Sequence, residues 1–441
     1  MLDNIYIVTD LGPGDGGKGG VVHALAVRKD ASVIIKRGGA QGSHGVRTSA
    51  QESFNFSQWG CGTLNGIPTY CSEQMVLSPV GLKNESEALK RTGIYDPFAL
   101  LSVDPDCICA TPIHTVSSKL EELLRGKNPR GTIGTGVGQA YRMSETMDDD
   151  MTIRASELTD RKTIENKLLK QRDCYRERYA NITADNGIPE DKPLMEENLC
   201  LLEDDDFITY ILDEFTAVGE KLRFAELTSV LSQNGTAIVE CSHGVLTDAV
   251  EGLKPHVSAI RTLPSFTEQM FRSAGYSGKI FNLAVHRAYE IRHGAGPMPT
   301  YDPEFTEKML PGSHKDENRW QGIIRAGALD INLLRYAVNS CRNTRFDGLC
   351  LTWFDQILRT DRNWRICSDY KAIKPTPNII EFLTSVQPIV TDHIIEKPIS
   401  SKDLVDFVNR TLQPYIGIPT YMLSVGPTEK DKIIREMKEF A

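Results

Sequence analysis

The sequence lacks the features that mark disulfide-rich, membrane-embedded and nucleic-acid-binding proteins. Its ten cysteines are sparse for 441 residues and none lies in a Cys-x-x-Cys pair, so we expect reduced, mostly buried thiols. No apolar run approaches the length that crosses a bilayer, and the first ten residues contain no basic region. These absences predict a soluble, cytoplasmic protein without a membrane partner.

The charge balance also argues against a nucleic-acid partner. A formal net charge of −9 and a pI near 5.6 disfavour a broad basic face, on which affinity for polyanions depends. A small phosphorylated ligand needs only a local group of donors and remains possible. With 40% hydrophobic and 25% charged residues, and with no internal repeat, the chain has the composition of a globular protein with a large core.

Short apolar runs rich in β-forming residues recur along the chain, and each ends in glycine or polar residues. Such runs are typical of strands that are buried on both faces of a largely parallel sheet. The loops after these strands gather at one edge, where ligands bind in open α/β sheets. We predict an α/β fold with a large, mostly parallel central sheet whose strands include residues 5–8, 32–35, 237–240, 349–352 and 421–424.

Two excursions from this sheet are expected within a single domain that spans residues 1–441. Residues from about 360 to 400 contain several prolines and predict an irregular cover over the sheet. Residues from about 155 to 235 are highly charged and predict a helical subdomain. Its apolar positions recur at helical spacing and include Ile164, Leu168, Leu169, Tyr175 and Tyr179.

The strongest local signal is the glycine-rich segment at residues 12–19, GPGDGGKG, between the first predicted strand and a helical pattern. Glycines allow backbone N–H groups to surround phosphate oxygens at a helix N-terminus, and Lys18 adds a positive charge. The segment therefore predicts a P-loop-like phosphate site formed by Gly14, Gly16, Gly17, Lys18 and Gly19.

The same segment satisfies two different templates, the P-loop pattern G-x-x-x-x-G-K and the dinucleotide pattern G-x-G-x-x-G. Gly19 stands where a P-loop has the hydroxyl that reaches magnesium, but the Asp15 carboxylate can bind the metal instead. The second predicted strand ends in Lys36 and Arg37, with no acidic residue for a ribose. A triphosphate site is favoured, and an NADP site stays open.

A second glycine-rich loop, GGAQGSHG at residues 38–45, follows the second predicted strand. Most lone histidines are structural, but His44 lies in a flexible loop at the expected ligand-binding edge of the sheet. From there an imidazole can be directed at a ligand. General-acid or electrophilic catalysis is therefore predicted for His44.

In sequence order, these and later segments resemble the adenylosuccinate synthetase family. The two glycine loops are similar to the family's Gly-Asp-Glu-Gly-Lys-Gly and Gly-Gly-Asn-Asn-Ala-Gly-His loops. Residues 131–141, GTIGTGVGQAY, resemble Gly-Thr-Thr-x-x-Gly-Ile-Gly-Pro-Ala-Tyr, and residues 294–300, GAGPMPT, resemble Gly-Ala-Gly-Pro-Phe-Pro-Thr. Further matches lie at residues 76–79, 240–244, 352–355 and 424–427, so the resemblance extends over the whole chain.

The resemblance implies a C–N bond-forming ligase that uses GTP and Mg²⁺, acts on IMP and an amino acid such as aspartate, and forms a homodimer. In the family, the loop aspartate removes the N1 proton of IMP and contacts magnesium, and the loop histidine stabilises charge on the 6-oxygen. By position these roles pass to Asp15 and His44. The remaining assignments by resemblance are Ser43 as a second metal ligand, substrate contacts by Gln41, Thr132, His243, Ser258 and Arg325, and guanine contacts by Asp355, Ser424 and Gly426.

Several departures from the family pattern fall on substrate recognition. In the amino-acid loop, at residues 316–327, Ile323 and Ile324 stand where the family has arginines, which puts free L-aspartate in doubt. The family places an arginine of the partner subunit against the substrate phosphate in the region of residues 148–150, where this chain has three aspartates that would repel a phosphate. Ile133 and His243 replace a threonine and a glutamine of the family, and Trp353 replaces its lysine. ATP therefore remains possible beside GTP.

Two alternatives to the ligase stay open. A nucleotide-binding sensor or partner protein would retain phosphate binding without productive capture of an amine, and the altered amino-acid loop favours it. An NADP-linked oxidoreductase is suggested only by the glycine spacing together with Lys36 and Arg37. GTP with magnesium binds in the first two cases, and NADPH in the third.

Overall fold

The computed structural model describes residues 1–132, 134–146, 149–313, 319–371, 376–397 and 399–435. The chain forms two compact units, one comprising Met1–Ser32, His44–Asn55 and Asn234–Ala441, the other Val33–Ser43 and Phe56–Gln233. In the described part of the chain, no helix is both long and apolar enough to cross a membrane.

The strands of the described residues are β1 (Asn4–Asp10), β2 (Ala31–Gly39), β3 (His44–Arg47), β4 (Ser53–Phe56), β5 (Thr69–Val76), β6 (Leu101–Val103), β7 (Thr236–Gly244), β8 (Lys279–Arg287), β9 (Glu290–His293), β10 (Ile324–Gly327), β11 (Leu329–Asp330), β12 (Gly348–Thr352), β13 (Asn363–Lys371), β14 (Gln387–Ile394), β15 (Thr420–Ser424) and β16 (Lys432–Ile434).

The α-helices of the same residues are α1 (Lys18–Arg28), α2 (Pro79–Lys90), α3 (Pro112–Leu123), α4 (Val137–Thr146), α5 (Arg161–Tyr179), α6 (Lys192–Glu203), α7 (Asp205–Gly219), α8 (Leu227–Leu231), α9 (Pro264–Ser273), α10 (Pro303–Met309), α11 (Ile331–Ser340), α12 (Phe354–Thr360), α13 (Ile379–Ser385) and α14 (Ser401–Ile416).

The first unit contains sheet strands in the order β16-β15-β12-β8-β1-β7. β1 pairs in parallel with both β7 and β8, and β12 pairs in parallel with both β8 and β15, whereas β16 is antiparallel to β15. β1, β7, β12 and β15 are the predicted strands of this unit, and their residues are almost all buried. The prediction of an α/β fold with a large, mostly parallel sheet is confirmed.

The second unit combines the parallel strands β2, β5 and β6 with a group of helices. Most of residues 155–235 lie in α5, α6, α7 and α8. On α5 the side chains of Ile164, Leu168, Tyr175 and Tyr179 are buried, whereas Leu169 is only partly buried. The helical face that sequence spacing indicates is therefore present, and it is narrower than expected by one residue.

The described residues between 360 and 400 form the regular elements β13, α13 and β14, so the predicted irregular cover is wrong. β13 pairs in antiparallel fashion with β14 and in parallel with β11. Two prolines of this segment lie in the described residues: Pro377 precedes α13, and Pro388 lies on the edge strand β14, a position that tolerates proline. Trp364 anchors β13 by full burial and by donating its indole N–H to the Ala288 carbonyl at 2.6 Å.

His114 is a buried neutral histidine at the start of α3. Its Nδ1 accepts the Thr111 backbone N–H at 3.0 Å, so the neutral ring carries its hydrogen on Nε2. That nitrogen lies 3.4 Å from the Met143 sulfur, which can accept this hydrogen. With 2% of its surface exposed, burial lowers the pKa of His114 to about 3. The folded protein therefore keeps this ring uncharged at neutral and mildly acidic pH.

We predict that His114 makes folding sensitive to mild acid. Because its pKa is lower in the folded than in the unfolded chain, its stabilising contribution is complete above pH 6.5 and is lost as the pH falls toward 3. Between pH 8 and pH 5 this histidine should remove about 2 kcal/mol from the free energy of unfolding.

Denaturant titrations at both pH values test this. His114→Gln should be less stable than the parent at pH 8, yet should lose about 2 kcal/mol less on going to pH 5. The matched variant His393→Gln, on the outermost strand β14, should lose as much as the parent. Equal losses in the His114 variant and the parent would contradict the prediction.

Candidate active site

The glycine-rich segment links the end of β1 at Asp10 to the start of α1 at Lys18, as the sequence predicts. Gly17 is the N-cap of α1 with φ +84°, and a Cβ there would lie 2.9 Å from Thr352 Oγ1. Gly16 is equally constrained, because its Cβ would lie 2.7 Å from the Asp10 carboxylate. Both positions therefore require glycine, one for backbone conformation and the other for space.

Asp10 belongs to the candidate site and was missed by the sequence analysis. Its Oδ1 accepts the Gly12 N–H at 2.7 Å, and its Oδ2 accepts the Gly16 N–H at 2.7 Å and the Lys18 ammonium at 2.9 Å. Lys18 also donates to the Gly14 carbonyl at 2.6 Å. Burial alone would raise the pKa of Asp10, but Lys18 and the Gly16 N–H lower it below its usual value. In this conformation an internal carboxylate occupies donors of the phosphate loop.

Asp15 lies at the outer side of the same loop, with 40% of its side chain exposed. Its Oδ2 is 3.2 Å from His293 Nε2, and its backbone carbonyl accepts a hydrogen bond from Arg287 Nε at 2.5 Å. Arg287 in turn lies over the Trp353 ring, 4.2 Å from its centroid. The Asp15 carboxylate is therefore accessible to a ligand while its backbone is held in place.

His44 is buried at the start of β3 and its backbone packs against Gly19, whose Cβ would lie 2.6 Å from the Gly45 carbonyl. The ring Nδ1 lies 2.6 Å from Oε1 of Glu240, a fully buried carboxylate on β7. A carboxylate at this distance orients the imidazole and stabilises positive charge on it. The pairing fits the predicted role of His44 as a hydrogen-bond donor to a developing negative charge.

His243 lies in the same part of the first unit, at the end of β7, with φ +61°. Burial, with smaller contributions from the charges of Lys18 and His44, lowers the pKa of His243 to about 4, whereas the Asp15 carboxylate opposes the shift. His243 is therefore neutral at pH 7. Asp15, Lys18 and His44, which the sequence assigned to the same site as His243, each act on it electrostatically in the structure.

The residues assigned to guanine recognition lie on two neighbouring strand ends of the first unit. Asp355 is in the first turn of α12, directly after β12, and Ser424 ends β15. The Ser424 hydroxyl donates to the Gly426 carbonyl at 3.0 Å. Lys432, which the sequence analysis also missed, donates to both Ser424 Oγ and the Gly426 carbonyl.

Comparison with known proteins assigns the chain to a family. The sequence profile of adenylosuccinate synthetase matches residues 7–433. The chain belongs to the adenylosuccinate synthetase family. Members of this family are C–N bond-forming ligases of purine biosynthesis that act on purine nucleotides and amino acids.

The individual relatives are distant in sequence. Adenylosuccinate synthetase of Francisella tularensis subsp. novicida is 25% identical over 456 aligned positions, which cover 96% of both chains, and that of subsp. mediasiatica gives the same values. Fully ligated adenylosuccinate synthetase from Plasmodium falciparum superposes with a TM-score of 0.78 at 19% identity, covering 98% of this chain and all of the other.

A second solved structure is a cyanophage S-2L succinoaminodeoxyadenylate synthetase bound to dGMP and to dATP as an energy donor. It superposes with a TM-score of 0.58 at 12% identity, covering all of this chain and 98% of the other. At these identities the two structures show a common fold. They leave open which nucleotide and which amine this adenylosuccinate synthetase family member uses.

Two residues of the first unit that the family resemblance assigns to substrate binding form hydrogen bonds with backbone groups. Arg325, on β10, donates from one amino group to the carbonyls of Gly294 and Gly296. This group therefore stabilises the loop that follows β9. Ser258 Oγ accepts the Ile260 N–H at 3.2 Å within a local turn. Their assignments as ligand contacts stay predictions.

The other family assignments lie in the second unit or outside the described residues. Ser43 is exposed and Gln41 is partly buried, while Thr132 Oγ1 accepts the Gly134 N–H at 3.2 Å. Their roles also stay predictions. The predictions for Ile133, for Asp148 and for residues 316–318 of the amino-acid loop fall outside the described residues.

The acidic stretch in the second unit is less repulsive than its sequence indicates. Asp149 pairs with Arg154 at 3.1 Å, and Asp150 pairs with Lys170 at 2.6 Å. Each of these two carboxylates therefore has a cation beside it, which reduces the local negative charge.

We predict that replacing Lys18 and Asp10 together lowers the free energy of unfolding less than replacing either residue alone. Lys18→Met leaves the Asp10 carboxylate buried without its cation, which should lower the free energy of unfolding by about 3–5 kcal/mol. Asp10→Asn with Lys18→Met should recover much of that stability but should not restore triphosphate affinity, because the loop still lacks its cation.

Chemical denaturation and nucleotide titration of the two variants test this, with Lys29→Met, at the other end of α1, as a control that should match the parent in both measurements. If the single and double variants are equally unstable, the ion pair does not carry the stability. Unchanged nucleotide affinity in Lys18→Met would remove the lysine from the site.

Proposed function

We propose that this chain is a GTP-dependent ligase that phosphorylates the 6-oxo group of an IMP-like purine nucleotide and then replaces the phosphate with an amine. The observation that carries the proposal is the arrangement of Asp15, Lys18 and His44. A carboxylate, an ammonium and an imidazole surround one glycine-rich loop, and each is fixed by a partner of its own. That set matches the needs of phosphoryl transfer to an oxygen atom.

The first step is a proton transfer coupled to phosphoryl transfer. Asp15 accepts the proton from N1 of the purine, and the electron pair moves to the 6-oxygen, which attacks the γ-phosphorus of GTP. The bond from the γ-phosphorus to the bridging oxygen breaks, and GDP leaves. His44, held by Glu240, donates a hydrogen bond to the 6-oxygen and reduces the cost of its negative charge.

In the second step the amine attacks C6 of the 6-phosphorylated purine. The C6–O bond breaks and inorganic phosphate leaves with the electron pair. The departing phosphate accepts the proton that the amine nitrogen loses, which gives a neutral 6-amino product. In this scheme Asp15 and His44 act at the 6-position of the purine in both steps. The 6-oxygen that becomes negative in the first step leaves with the phosphate in the second, so the same residues can stabilise its charge again.

Magnesium is part of the proposal, since a divalent cation neutralises charge on the transferring phosphoryl group. The Asp15 carboxylate fits this role, because hard cations prefer carboxylate oxygens and this one is partly exposed beside the phosphate loop.

GTP is favoured over ATP as energy donor because Asp355 retains the carboxylate that can pair with N1–H and the 2-amino group of guanine. One face of the Trp353 ring is covered by Arg287, so the other face is the one left for a base. Homodimerisation, which the family suggests, stays a prediction alongside these assignments.

A nucleotide-binding sensor is the second candidate, favoured by the backbone engagement of Arg325. It shares nucleotide binding with the ligase and differs in turnover. Release of inorganic phosphate on addition of IMP-like nucleotides and amino acids separates the two. Membership in a ligase family, together with the lack of an acidic ribose partner after β2, disfavours the NADP-linked oxidoreductase.

We predict that Asp15→Asn retains a nearly normal fold but reduces turnover by several orders of magnitude. The amide keeps the size of the carboxylate, while both the base and the charged metal ligand are lost. Phosphate release under saturating substrates measures the effect. Turnover within about tenfold of the parent would mean that another residue is the base.

We also predict that L-aspartate is a poor amine donor. Each carboxylate of a bound dicarboxylate needs a cation in a desolvated pocket, because an unpaired one costs several kcal/mol. Arg325 already serves two carbonyls, and Ile323 and Ile324 present apolar side chains. A less acidic or more apolar amine should therefore react better.

An assay with GTP, magnesium, IMP and each amino acid in turn measures this preference. Saturation by L-aspartate at sub-millimolar concentration, with no better donor, would contradict the prediction. Ile324→Arg serves as the matched variant, since an added guanidinium should selectively improve the use of dicarboxylates.

A further inference from the structure

Lys432 is a buried cation beside the residues assigned to base recognition. It is the first residue of β16, and only 5% of its surface is exposed. Its ammonium donates to Ser424 Oγ at 2.7 Å and to the Gly426 carbonyl at 2.6 Å. A buried lysine is uncommon unless its charge is used. Lys432 and the loop after β15 are therefore joined by hydrogen bonds into one polar cluster.

The surroundings of Lys432 are acidic. Burial lowers the pKa of Lys432 to about 8, and the carboxylates of Asp431, Asp355 and Glu429 act in the opposite direction. The side chain is therefore mainly protonated at pH 7. Three nearby carboxylates would repel a phosphate group, and Lys18 already supplies a cation at the phosphate loop. A neutral base with both donors and acceptors is the better partner for this environment.

Lys432 has a donor left for such a base. An ammonium carries three N–H groups, and among the described residues the two hydrogen bonds to Ser424 and Gly426 account for two of them. The ammonium also lies beside the first turn of α1, because a Cβ on Gly20 would be 3.8 Å from Nζ. It thus lies between the helix of the phosphate loop and the loop after β15.

We propose that Lys432 is a specificity-determining residue that donates a hydrogen bond to the 6-oxo oxygen of the energy donor's base and so selects guanine over adenine. Guanine presents an acceptor oxygen at C6, whereas adenine presents an amino donor there, which an ammonium cannot satisfy. Asp355 recognises the N1–H and 2-amino edge. Trp353, two positions before Asp355, replaces a lysine of the family. Lys432 supplies a positive charge from another strand.

The inference rests on the proposed nucleotide site, and the experiment separates the two. Equilibrium binding is measured for GTP, ITP, ATP and 2-aminopurine riboside triphosphate, with magnesium, to the parent and to Lys432→Met. Methionine keeps the apolar stem but cannot donate. Affinity for GTP and ITP, which carry the 6-oxo group, should fall roughly tenfold or more. Affinity for the two nucleotides without it should stay within about twofold.

Two further variants keep the test decisive. Lys430→Met, on the exposed side of the same segment, should bind all four nucleotides as the parent does. Lys432→Arg retains a donor and should keep the preference for 6-oxo bases, which provides a readout if the methionine variant fails to fold. Parallel losses for all four nucleotides, or no loss for GTP, would overturn the role of Lys432. A parent that binds no triphosphate would instead refute the proposed function.

Discussion

The buried ion pair between Asp10 and Lys18 is the interaction on which the rest of the site depends. It joins the last residue of β1, in the interior of the sheet, to the first residue of α1. Because Asp10 also accepts the N–H groups of Gly12 and Gly16, the loop closes around a carboxylate rather than around a void. The requirement for glycine at position 16 follows from this closure, as does the inward direction of Lys18. Asp15 then falls on the outer side of the loop, where a substrate can reach it.

Much of the fold could be predicted from the sequence, because strands buried on both faces are continuous apolar runs. β1, β7, β12 and β15 follow that rule. The antiparallel pair of β13 and β14 was missed because these strands are only partly buried and β14 contains a proline, and only tertiary contacts such as the burial of Trp364 reveal the pair. Local pattern therefore identified the centre of the sheet and failed at its periphery.

In the candidate site, residues inside glycine-rich loops could be found from sequence, whereas their partners could not. Asp15, Lys18 and His44 lie in loops with recognisable spacing. Glu240 is 196 positions from His44, and Lys432 follows Ser424 in an unremarkable segment. A usable signal did exist for two partners: Asp10 and Glu240 are charged residues inside apolar strand runs, and burying such a charge requires a specific partner.

The internal carboxylate also has a consequence for how the loop treats simple anions. Sulfate, chloride or free phosphate can offer the loop only charge, and Asp10 already supplies that from within, with no loss of translational freedom. A nucleotide brings additional binding energy from its base and ribose, which the internal ion lacks. A ligand that is also recognised at a second point would therefore compete with Asp10 for these donors better than a small inorganic anion.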